Sequence, residues 1–498
     1  MENEKDNELP AGWVETKLDQ ICEILDSFRI PINNEERIER IKGISEDKLF
    51  PYYGATGQVG VIDEYLFDGE YILLGEDGAP FLDAFKNKAY IVNGKFWVNN
   101  HAHILKAHLS NQFVLHYLNQ FGFRGYVSGT TRLKLTQLAM KEIPVPLPPL
   151  AEQHRIVAKL EELFSELDKG VENLRAAQQQ LKVYRQAVLQ WAFEGKLTEE
   201  WRAIIGDATS NGQEFLNRII QERKTVYKNE LAQHEAAASN NKTKRPNKPE
   251  FYSAISDEEY SKLLELPSQW VWSKVGNLCQ SIVPNRDKPK SFTGEVPWLT
   301  TPDIDSAKIT VDFQLVKLGL TAEETEKYNA RVIPPNSVIM TCVGSFGVVC
   351  VNAKACVINQ QLHAFITHKY INSRYLAYAL KNMRNWMEQH ATSTTVAYLN
   401  KTNCNSIPIP VCDITEQRQI VAEIESRLSI CDKLEETIEQ SLLQAEALRQ
   451  SILKKAFAGK LVPQDPSDEP AEKLLARIRA ERAATTPVKK PSKGRTAK

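Results

Sequence analysis

Histidine and cysteine are the residue types in this chain whose spacing could bind a metal ion. Two groups are candidates, one at His101, His103 and His108 and the other at Cys342, Cys350, Cys356 and His363. Neither group has the paired C-x-x-C and H-x-x-x-H spacing of a closed tetrahedral zinc site. An alternating H-x-H pair in a strand puts both rings on one face, but the sequence offers no third ligand. We therefore expect no metal site.

Motifs of nucleotide binding and covalent catalysis are absent from the 498 residues. The sequence has no Walker loop, no G-x-S-x-G nucleophile elbow, no dinucleotide fingerprint and no H-E-x-x-H. It also lacks the Asn-Pro-Pro-Tyr or Asp-Pro-Pro-Tyr tetrapeptide of amino-methyltransferases. The residues alone therefore give no support to a catalytic function.

Amide, hydroxyl and aromatic side chains cluster in turn-rich segments of both halves of the chain. In the first half they are Tyr52, Tyr53, Thr56, Asn99, Asn100 and His101. In the second half they are Trp298, Thr300, Thr301, Asn359, Gln360 and Gln361. Such side chains can hydrogen-bond to the edges of nucleic-acid bases, or they can merely satisfy the backbone of their own loops. Both interpretations stay open at this point.

The elements that position these segments belong to an internal duplication. Residues 143–197 match residues 407–461 without a gap at an offset of 264, with 22 identities in 55 positions. The offset also aligns one pair of threonines in each half, which we add with a neighbouring arginine to the candidate nucleic-acid-binding residues: Thr130, Thr131, Arg132, Thr394 and Thr395. Elsewhere the halves diverge, so variable and shared blocks alternate along the chain.

The shared block predicts a long coiled-coil helix. Apolar or small residues recur in steps of four and three from Ile156 to Trp191, and the second copy keeps the same register from Ile420. Each helix would run about 40 residues, or roughly 60 Å. A polar linker near residues 239–246 lets the chain reverse, which favours an antiparallel pair with Leu160 and Leu434 buried in one seam. A generic dimerisation coil is the alternative.

The variable blocks predict two domains of mixed α+β structure. Strands are expected at 71–74, 89–92, 337–341 and 348–351, and helices at 111–120, 213–227 and 373–387. The predicted fold is thus two globular α+β domains separated by two long antiparallel coiled-coil helices, with pseudo-twofold symmetry. The predicted segments are 1–142 and 266–406 for the domains, 143–205 and 407–461 for the helices, 206–265 for a connector with a polar linker, and 462–498 for a C-terminal helix and basic disordered tail.

Charge and cysteine content narrow the class of protein. The net charge is −1, but residues 1–142 carry 15 Lys and Arg against 21 Asp and Glu, a balance of −6. Residues 266–406 carry 14 against 9, a balance of +5, which allows a basic face. Eight cysteines without C-x-x-C spacing predict reduced thiols, and the polar start of the chain predicts a cytoplasmic protein without a membrane span.

The duplicated layout resembles the specificity subunits of type I restriction–modification systems. The resemblance rests on the sequence Ile-Pro-Val-Pro-Leu-Pro-Pro-Leu-Ala-Glu-Gln at 143–153, which leads into the long helix, and on its copy at 407–417. It rests also on Gly-Lys-Leu after each helix, at Gly195 and Gly459. Each half opens with Leu-Pro-x-x-Trp, ending at Trp13 and Trp270. The resemblance extends over essentially the whole chain.

The resemblance implies that each variable block is a target recognition domain for one half of a split double-stranded DNA site. It implies that the helices are a spacer and a dock for two modification subunits, which hold S-adenosylmethionine, so that this chain binds no cofactor and is not catalytic by itself. Restriction motor-nuclease subunits would join the larger complex. The helix positions assigned to spacing and docking are Glu152, Gln153, Leu160, Leu167, Leu181, Glu416, Gln417, Ile424, Leu434 and Leu448. The alternatives are a recognition subunit of another restriction system and a two-domain coiled-coil scaffold that binds no DNA.

Overall fold

The computed structural model describes residues 9–206, 211–237, 245–284, 289–392 and 395–485. The chain forms two compact units: unit 1 combines residues 1–177 with 437–498, and unit 2 is residues 178–436. Both boundaries fall inside the long helices, so each unit holds one variable block and parts of both helices. The sequence had assigned the helices to segments of their own.

From residue 9 onwards, where its described part begins, unit 1 has twelve short strands and four short helices before the first long helix. The strands are β1 (Val14–Lys17), β2 (Cys22–Ile24), β3 (Phe50–Gly54), β4 (Gly57–Ile62), β5 (Phe67–Asp68), β6 (Tyr71–Gly75), β7 (Ala89–Val92), β8 (Lys95–Val98), β9 (Ala102–Ala107), β10 (Val127–Ser128), β11 (Lys134–Leu135) and β12 (Pro144–Leu147). The helices are α1 (Leu18–Ile21), α2 (Asn34–Ile41), α3 (Asn111–Gln120) and α4 (Gln137–Lys141). The predicted strands at 71–74 and 89–92 and the helix at 111–120 are confirmed.

The strands of unit 1 form two four-stranded sheets and two small pairs. The orders are β2-β9-β6-β7 and β4-β3-β8-β5, with β1-β12 and β10-β11 as antiparallel pairs. Within the second sheet, β3 and β8 run parallel. The side chain of Ser110 caps α3 by accepting a 3.3 Å bond from the Phe113 amide. Phe113 is then fully buried in the core beneath the first sheet.

Unit 2 repeats this plan, with fewer strands among the residues that the structure describes. After the first long helix, α5 (Leu150–Phe193), come α6 (Glu199–Ile205), α7 (Gly212–Ala237), α8 (Asp257–Tyr260), β13 (Val271–Lys274), α9 (Val275–Leu278), β14 (Gln280–Ile282), β15 (Val296–Leu299), β16 (Gly319–Leu320), α10 (Ala322–Lys327), β17 (Val338–Thr341), β18 (Val349–Val351), β19 (Val357–Ile358), β20 (Leu362–Ile366), α11 (Ser373–Asn382), α12 (Arg384–His390), α13 (Lys401–Asn405) and β21 (Pro408–Val411). The second long helix, α14 (Ile414–Phe457), then leads back into unit 1, where α15 (Ala471–Thr485) follows.

The sheets of unit 2 match those of unit 1. The orders are β14-β20-β17-β18 and β16-β15-β19, with β13-β21 as an antiparallel pair and β15 parallel to β19. The strands predicted at 337–341 and 348–351 are confirmed as β17 and β18. The single helix predicted at 373–387 is wrong, because Met383 leaves helical geometry (φ −89°, ψ 16°) and divides it into α11 and α12. The helix predicted at 213–227 is longer than expected, since α7 continues to Ala237.

The long helices have the predicted length and pair with each other. Each has 44 residues. In unit 1, the Arg449 guanidinium of α14 lies 4.4 Å from the centroid of the Phe164 ring of α5 and pairs with Asp168. In unit 2, Arg185 of α5 pairs with Asp432 of α14 at 2.7 Å. Residue numbers rise along α5 as they fall along α14, which is the order of an antiparallel pair.

The C-terminal end of each long helix packs on the domain of the other half of the sequence. In unit 1, Phe457 of α14 contacts Phe113 of α3, with ring centroids 5.3 Å apart. In unit 2, Phe193 of α5 contacts Tyr375 of α11 at 5.4 Å. Each domain therefore completes its core with residues from the end of the helix that belongs to the other repeat.

Candidate nucleic-acid interface

Four loops meet at one end of the sheets in unit 1, and we call them loop cluster 1: residues 54–57, 76–78, 99–101 and 129–133. Backbone hydrogen bonds hold them together. The Asn99 amide donates to the Tyr53 carbonyl at 3.0 Å, and the Glu76 amide donates to the His101 carbonyl at 2.7 Å. The Gly78 amide donates to the Leu133 carbonyl at 3.0 Å. Three segments that the sequence had singled out separately are thus neighbours.

Unit 2 has the same arrangement, which we call loop cluster 2: residues 300–303, 342–344, 359–361 and 395–397. The corresponding donors and acceptors are Asn359 to Leu299 at 3.0 Å, Cys342 to Gln361 at 2.8 Å, and Gly344 to Ala397 at 2.9 Å. Thr394, a predicted site residue, lies outside the described residues. The two domains therefore present equivalent loops even though the loop sequences differ almost completely.

Most of the predicted site residues lie in these loop clusters with exposed or half-exposed side chains. The exposed ones are Thr56, Asn100, Thr130, Thr131, Arg132, Gln360, Gln361 and Thr395, and the half-exposed ones are Tyr53, Asn99, His101, Thr300, Thr301 and Asn359. Two aromatic residues differ, because Tyr52 and Trp298 are 5% and 7% exposed and sit inside the parallel strand pairs. Their burial corrects the expectation of direct contact with DNA and makes them supports of the loops.

An aspartate organises the most polar part of loop cluster 1. Oδ1 of Asp77 accepts from Arg132 Nη2 at 2.9 Å and lies 2.6 Å from His101 Nδ1. Glu76, the preceding residue, pairs with Arg29 at 2.6 Å and with Lys134 at 3.2 Å. The acidic residues of this loop therefore neutralise the cations around them, in keeping with the negative balance of the first variable block.

Beneath these loops lies a buried histidine–aspartate pair. His103 Nδ1 is 2.7 Å from Asp26 Oδ2, and His103 Nε2 is 2.9 Å from the Leu135 carbonyl. Both ring nitrogens of His103 therefore face oxygen acceptors. Burial would raise the pKa of the Asp26 carboxyl, but His103, the Ile104 amide and Arg29 hold that pKa below its usual value.

The equivalent histidine of unit 2 has different surroundings. His363 occupies the position of His103 in the matching strand β20, but its Nε2 is buried without a hydrogen-bond partner among the described residues. Burial, aided by the charge of Lys401, lowers the pKa of His363 to about 3, so the ring is neutral. In unit 2 Val283 stands where the chain alignment places Asp26, so no carboxylate occupies that position beside His363.

The loop between β6 and β7 was missed by sequence reasoning. Glu76, Asp77 and Gly78 directly follow a buried strand, and Asp-Gly is a turn signal that could have identified the loop. Gly78 has a φ of +71°, a backbone conformation that favours glycine. What the signal could not supply is that this turn lies against residues 99–101 and 129–133.

The helix residues assigned to spacing and docking fall into three groups. Glu152, Gln153, Leu160, Glu416, Gln417 and Ile424 are buried, while Leu167 and Leu181 are half buried. Leu434 and Leu448 are 48% and 51% exposed, so the prediction that Leu434 is buried in a seam with Leu160 is wrong. In the middle of α14 the buried residues are spaced seven apart instead, at Ile424, Cys431 and Ile438. The second apolar position of the heptad faces solvent because α14 packs on its neighbours through a narrower stripe.

The histidines and cysteines that the sequence offered as metal candidates do not form a metal site in the described part of the chain. Across the described residues, no group of three or more His, Cys, Asp and Glu side chains could hold a metal ion. All eight cysteines are free and buried.

No helix in the described ranges is long and apolar enough to span a lipid bilayer.

Comparison with known proteins gives a family match in both halves. The model described as "type I restriction modification DNA specificity domain" matches residues 10–174 and 267–444. The chain is similar to the type I restriction enzyme EcoDI specificity subunit of Escherichia coli, with 24% identity over 96% of this chain and 97% of that protein. A specificity subunit of Haemophilus influenzae is 35% identical over 31% of this chain, a match that spans 38% of that relative's length.

Solved structures show the same fold. One, from a study of complex assembly and conformational transition of a type I restriction–modification system, has a TM-score of 0.59 and 17% identity over 91% of this chain and 100% of that chain. The HsdS subunit of Thermoanaerobacter tengcongensis has a TM-score of 0.50 and 17% identity over 91% and 98% of the two chains.

Proposed function

Because the chain belongs to the family of type I restriction–modification DNA specificity domains, we propose that each unit reads one half of a split double-stranded DNA site through its loop cluster. One observation carries the proposal. Loop clusters 1 and 2 are built by the same backbone hydrogen bonds, yet they present different exposed side chains. Two domains that recognise different DNA sequences need the same backbone arrangement with different exposed side chains.

The exposed side chains have the chemistry of base recognition. Asparagine and glutamine amides can bond adenine in a bidentate manner, and arginine can do so with guanine. Loop cluster 2 offers Gln360 and Gln361, whereas loop cluster 1 offers Asn100 and Arg132. The positive balance of residues 266–406 supports phosphate contacts by unit 2. For unit 1, with its negative balance, we propose that partner subunits supply more of the phosphate contacts.

The long helices have surfaces suited to partner subunits. Exposed apolar side chains lie at Val183, Ile430 and Leu434 in unit 2 and at Leu443 and Leu448 in unit 1. Large apolar side chains that are exposed on a free subunit can be covered when a partner protein binds. We propose that these positions dock two modification subunits, to which restriction motor-nuclease subunits are added. The side chains of Glu152, Gln153, Glu416 and Gln417 face inward and are not exposed to a partner. Their assignment to docking stays a prediction.

The chain itself is proposed to be non-catalytic and to bind no cofactor, with S-adenosylmethionine held by the modification subunits. The absence of catalytic motifs from the sequence supports this division of labour. A cytoplasmic location is proposed as well. Eight free cysteines suit a reducing compartment, and burial raises the pKa of Cys22 and Cys279 to about 12, which keeps both thiols protonated.

An exchange of domains tests the proposal. Residues 9–142 are replaced with the corresponding block of a relative, and the full-length chimera is expressed with its modification subunits. Methylation sequencing should show one half-site changed and the other retained, because base contacts travel with loop cluster 1. Each mismatched pair costs about 1–3 kcal/mol, so the old half-site should be rejected.

The reciprocal exchange of residues 266–406 is the matched control and should change only the other half-site. If either chimera alters both halves, or if the complex assembles but methylation is lost, one domain does not read one half-site. The proposal would then have to be abandoned.

A further inference from the structure

We propose, on the basis of the proposed function, that Arg132 held by Asp77 reads a guanine in the half-site of unit 1. The Asp77 carboxylate holds two other residues of loop cluster 1 in place. Oδ1 of Asp77 accepts from Arg132 Nη2 at 2.9 Å and contacts His101 Nδ1 at 2.6 Å. The Asp77 side chain is 21% exposed, so it is held within the loop cluster while its partner reaches outward.

The guanidinium also rests on the backbone of the neighbouring turn. A Cβ added at Gly78 would lie 3.1 Å from Arg132 Nε and 3.5 Å from Nη2. The Arg132 side chain is thus confined by Gly78 on one side and by the ion pair with Asp77 on another, which restricts its rotamers. Because the side chain is ordered before DNA binds, less conformational entropy is lost on binding.

The remaining donors of Arg132 are available to a ligand. The side chain is 59% exposed, and apart from Asp77 and a 3.5 Å approach to His101, no described residue hydrogen-bonds to the guanidinium. Arginine has five N–H donors in a fork, and the major-groove edge of guanine presents two acceptors, N7 and O6. The free edge of the fork matches that pair of acceptors.

The surroundings favour a base over a phosphate as the ligand. Asp77 pairs with Arg132, and Glu76 in the same loop pairs with Arg29 and Lys134, so the carboxylates and cations of this loop already neutralise one another. A phosphate would gain little from a cation that is already paired with a carboxylate, whereas the edge of a base carries no net charge and needs only directional hydrogen bonds. Carboxylates beside an arginine thus act against non-specific backbone contacts and leave the directional bonds to guanine.

Unit 2 lacks this device, which makes the inference specific to one half-site. The bridge between Asp77 and Lys134 in unit 1 corresponds to the bridge between Val343 and Tyr398 in unit 2. By the same alignment Val396, which is 54% exposed, stands in place of Arg132. Guanine recognition of this kind should therefore be absent from the half-site of unit 2 at the equivalent base pair.

The experiment uses the full-length chain with its modification subunits and compares Arg132→Lys and Arg132→Ala with the unchanged chain. Methylation sequencing defines the recognised bases, and binding to duplexes that vary one base pair at a time measures preference. We expect one guanine in the half-site of unit 1 to lose its preference by about 5- to 150-fold in both variants. Lysine keeps the charge but lacks the fork, so it should not restore the preference.

The dependence of binding on salt separates base reading from phosphate binding. If Arg132 read the base, Arg132→Lys would keep the salt slope and lose the preference. If it bound a phosphate, Arg132→Lys would keep nearly all binding, and Arg132→Ala would weaken all sequences equally and lower the slope by about one. The second pattern would overturn the inference. The matched control is Arg124→Lys, an exposed arginine outside loop cluster 1, which should leave the recognised sequence unchanged.

Asp77→Asn tests the positioning role. The variant should reduce the guanine preference in the presence of Arg132 but not further in the Arg132→Ala background, as expected for two residues that act through one contact. Independent effects would contradict the pairing. If the unchanged complex recognised no split site at all, the proposed function itself would fail. If it recognised a split site whose guanines are unaffected by Arg132→Ala, only the present inference would fail.

Discussion

The indole Nε1 of Trp270 donates a 2.9 Å hydrogen bond to the buried carboxylate of Glu416. The same bond joins Trp13 and Glu152 in the other unit at 3.0 Å. Leu-Pro-x-x-Trp and Glu-Gln, two of the short motifs that both halves of the sequence share, are therefore partners across a long stretch of chain. They attach the N-terminal end of a long helix to the first strand of the same domain.

Removal of the Glu416 carboxylate should strongly destabilise unit 2. Its other oxygen accepts from Arg202 at 2.7 Å and Thr198 at 2.9 Å, so Glu416→Ala leaves a largely buried arginine without its carboxylate. We expect a loss of about 3–5 kcal/mol in the free energy of unfolding, measured by urea denaturation of the full chain. Glu423→Ala, which removes a half-exposed ion pair on the same helix, should cost less than about 1 kcal/mol. Equal effects would contradict the structural role of Glu416.

Gly195 and Gly459 should not tolerate a side chain. Their φ angles are +76° and +67°, and a Cβ at either would lie 2.3 Å from the ring of Pro267 or Pro10, respectively. Gly459→Ala should lower stability by more than about 1 kcal/mol, because strain and the clash add to each other. Gly170→Ala is the control, since this glycine is inside a helix with open space around it, and it should stabilise by about 0.5–1 kcal/mol. Thermal unfolding of both variants checks the contrast.

Leu160 and Leu434 should respond differently to a charge. Leu160→Asp places an unpaired carboxylate in the core of unit 1 and should lower the melting temperature or prevent folding. Leu434→Asp should leave the melting temperature within about 2 °C, since a surface change costs at most about 0.5 kcal/mol. It should nevertheless weaken assembly with the modification subunits, measured by co-purification. A folded Leu434→Asp chain that assembles normally would remove Leu434 from the proposed docking surface.

Asp26 should make the stability of unit 1 depend on acid pH. Its pKa is lower when folded than when unfolded, so the stabilisation is complete above the unfolded value of about 3.9 and is lost as the pH falls through the folded pKa. Asp26→Asn should cost about 3 kcal/mol at pH 7, because it leaves the buried His103 ring without its carboxylate. Calorimetry from pH 7 to pH 3 should show the melting temperatures of the two chains converging below pH 4. A constant difference would exclude Asp26 as the source.

The sequence by itself determined the duplication, the two long helices and the segments that carry the loop residues. Identities at a fixed offset and a seven-residue apolar repeat are local signals, and they do not depend on how distant parts of the chain meet. The ends of the helices were also predicted from a local signal, since α5 and α14 end at Phe193 and Phe457, two residues before Gly195 and Gly459. The resemblance of Ile143–Gln153 and its copy to one family was likewise a matter of local pattern.

The tertiary structure alone decided which residues of those patterns face solvent. Leu434 and Leu160 both belong to the seven-residue apolar repeat, yet one is exposed and the other buried, because burial depends on which elements pack against each helix. Asp77 and Arg132 are 55 residues apart, and no spacing rule joins them. His103 likewise pairs with Asp26, 77 residues away. Such pairs form only when the sheets bring their loops together, and so the chemistry of each loop cluster was decided by long-range packing.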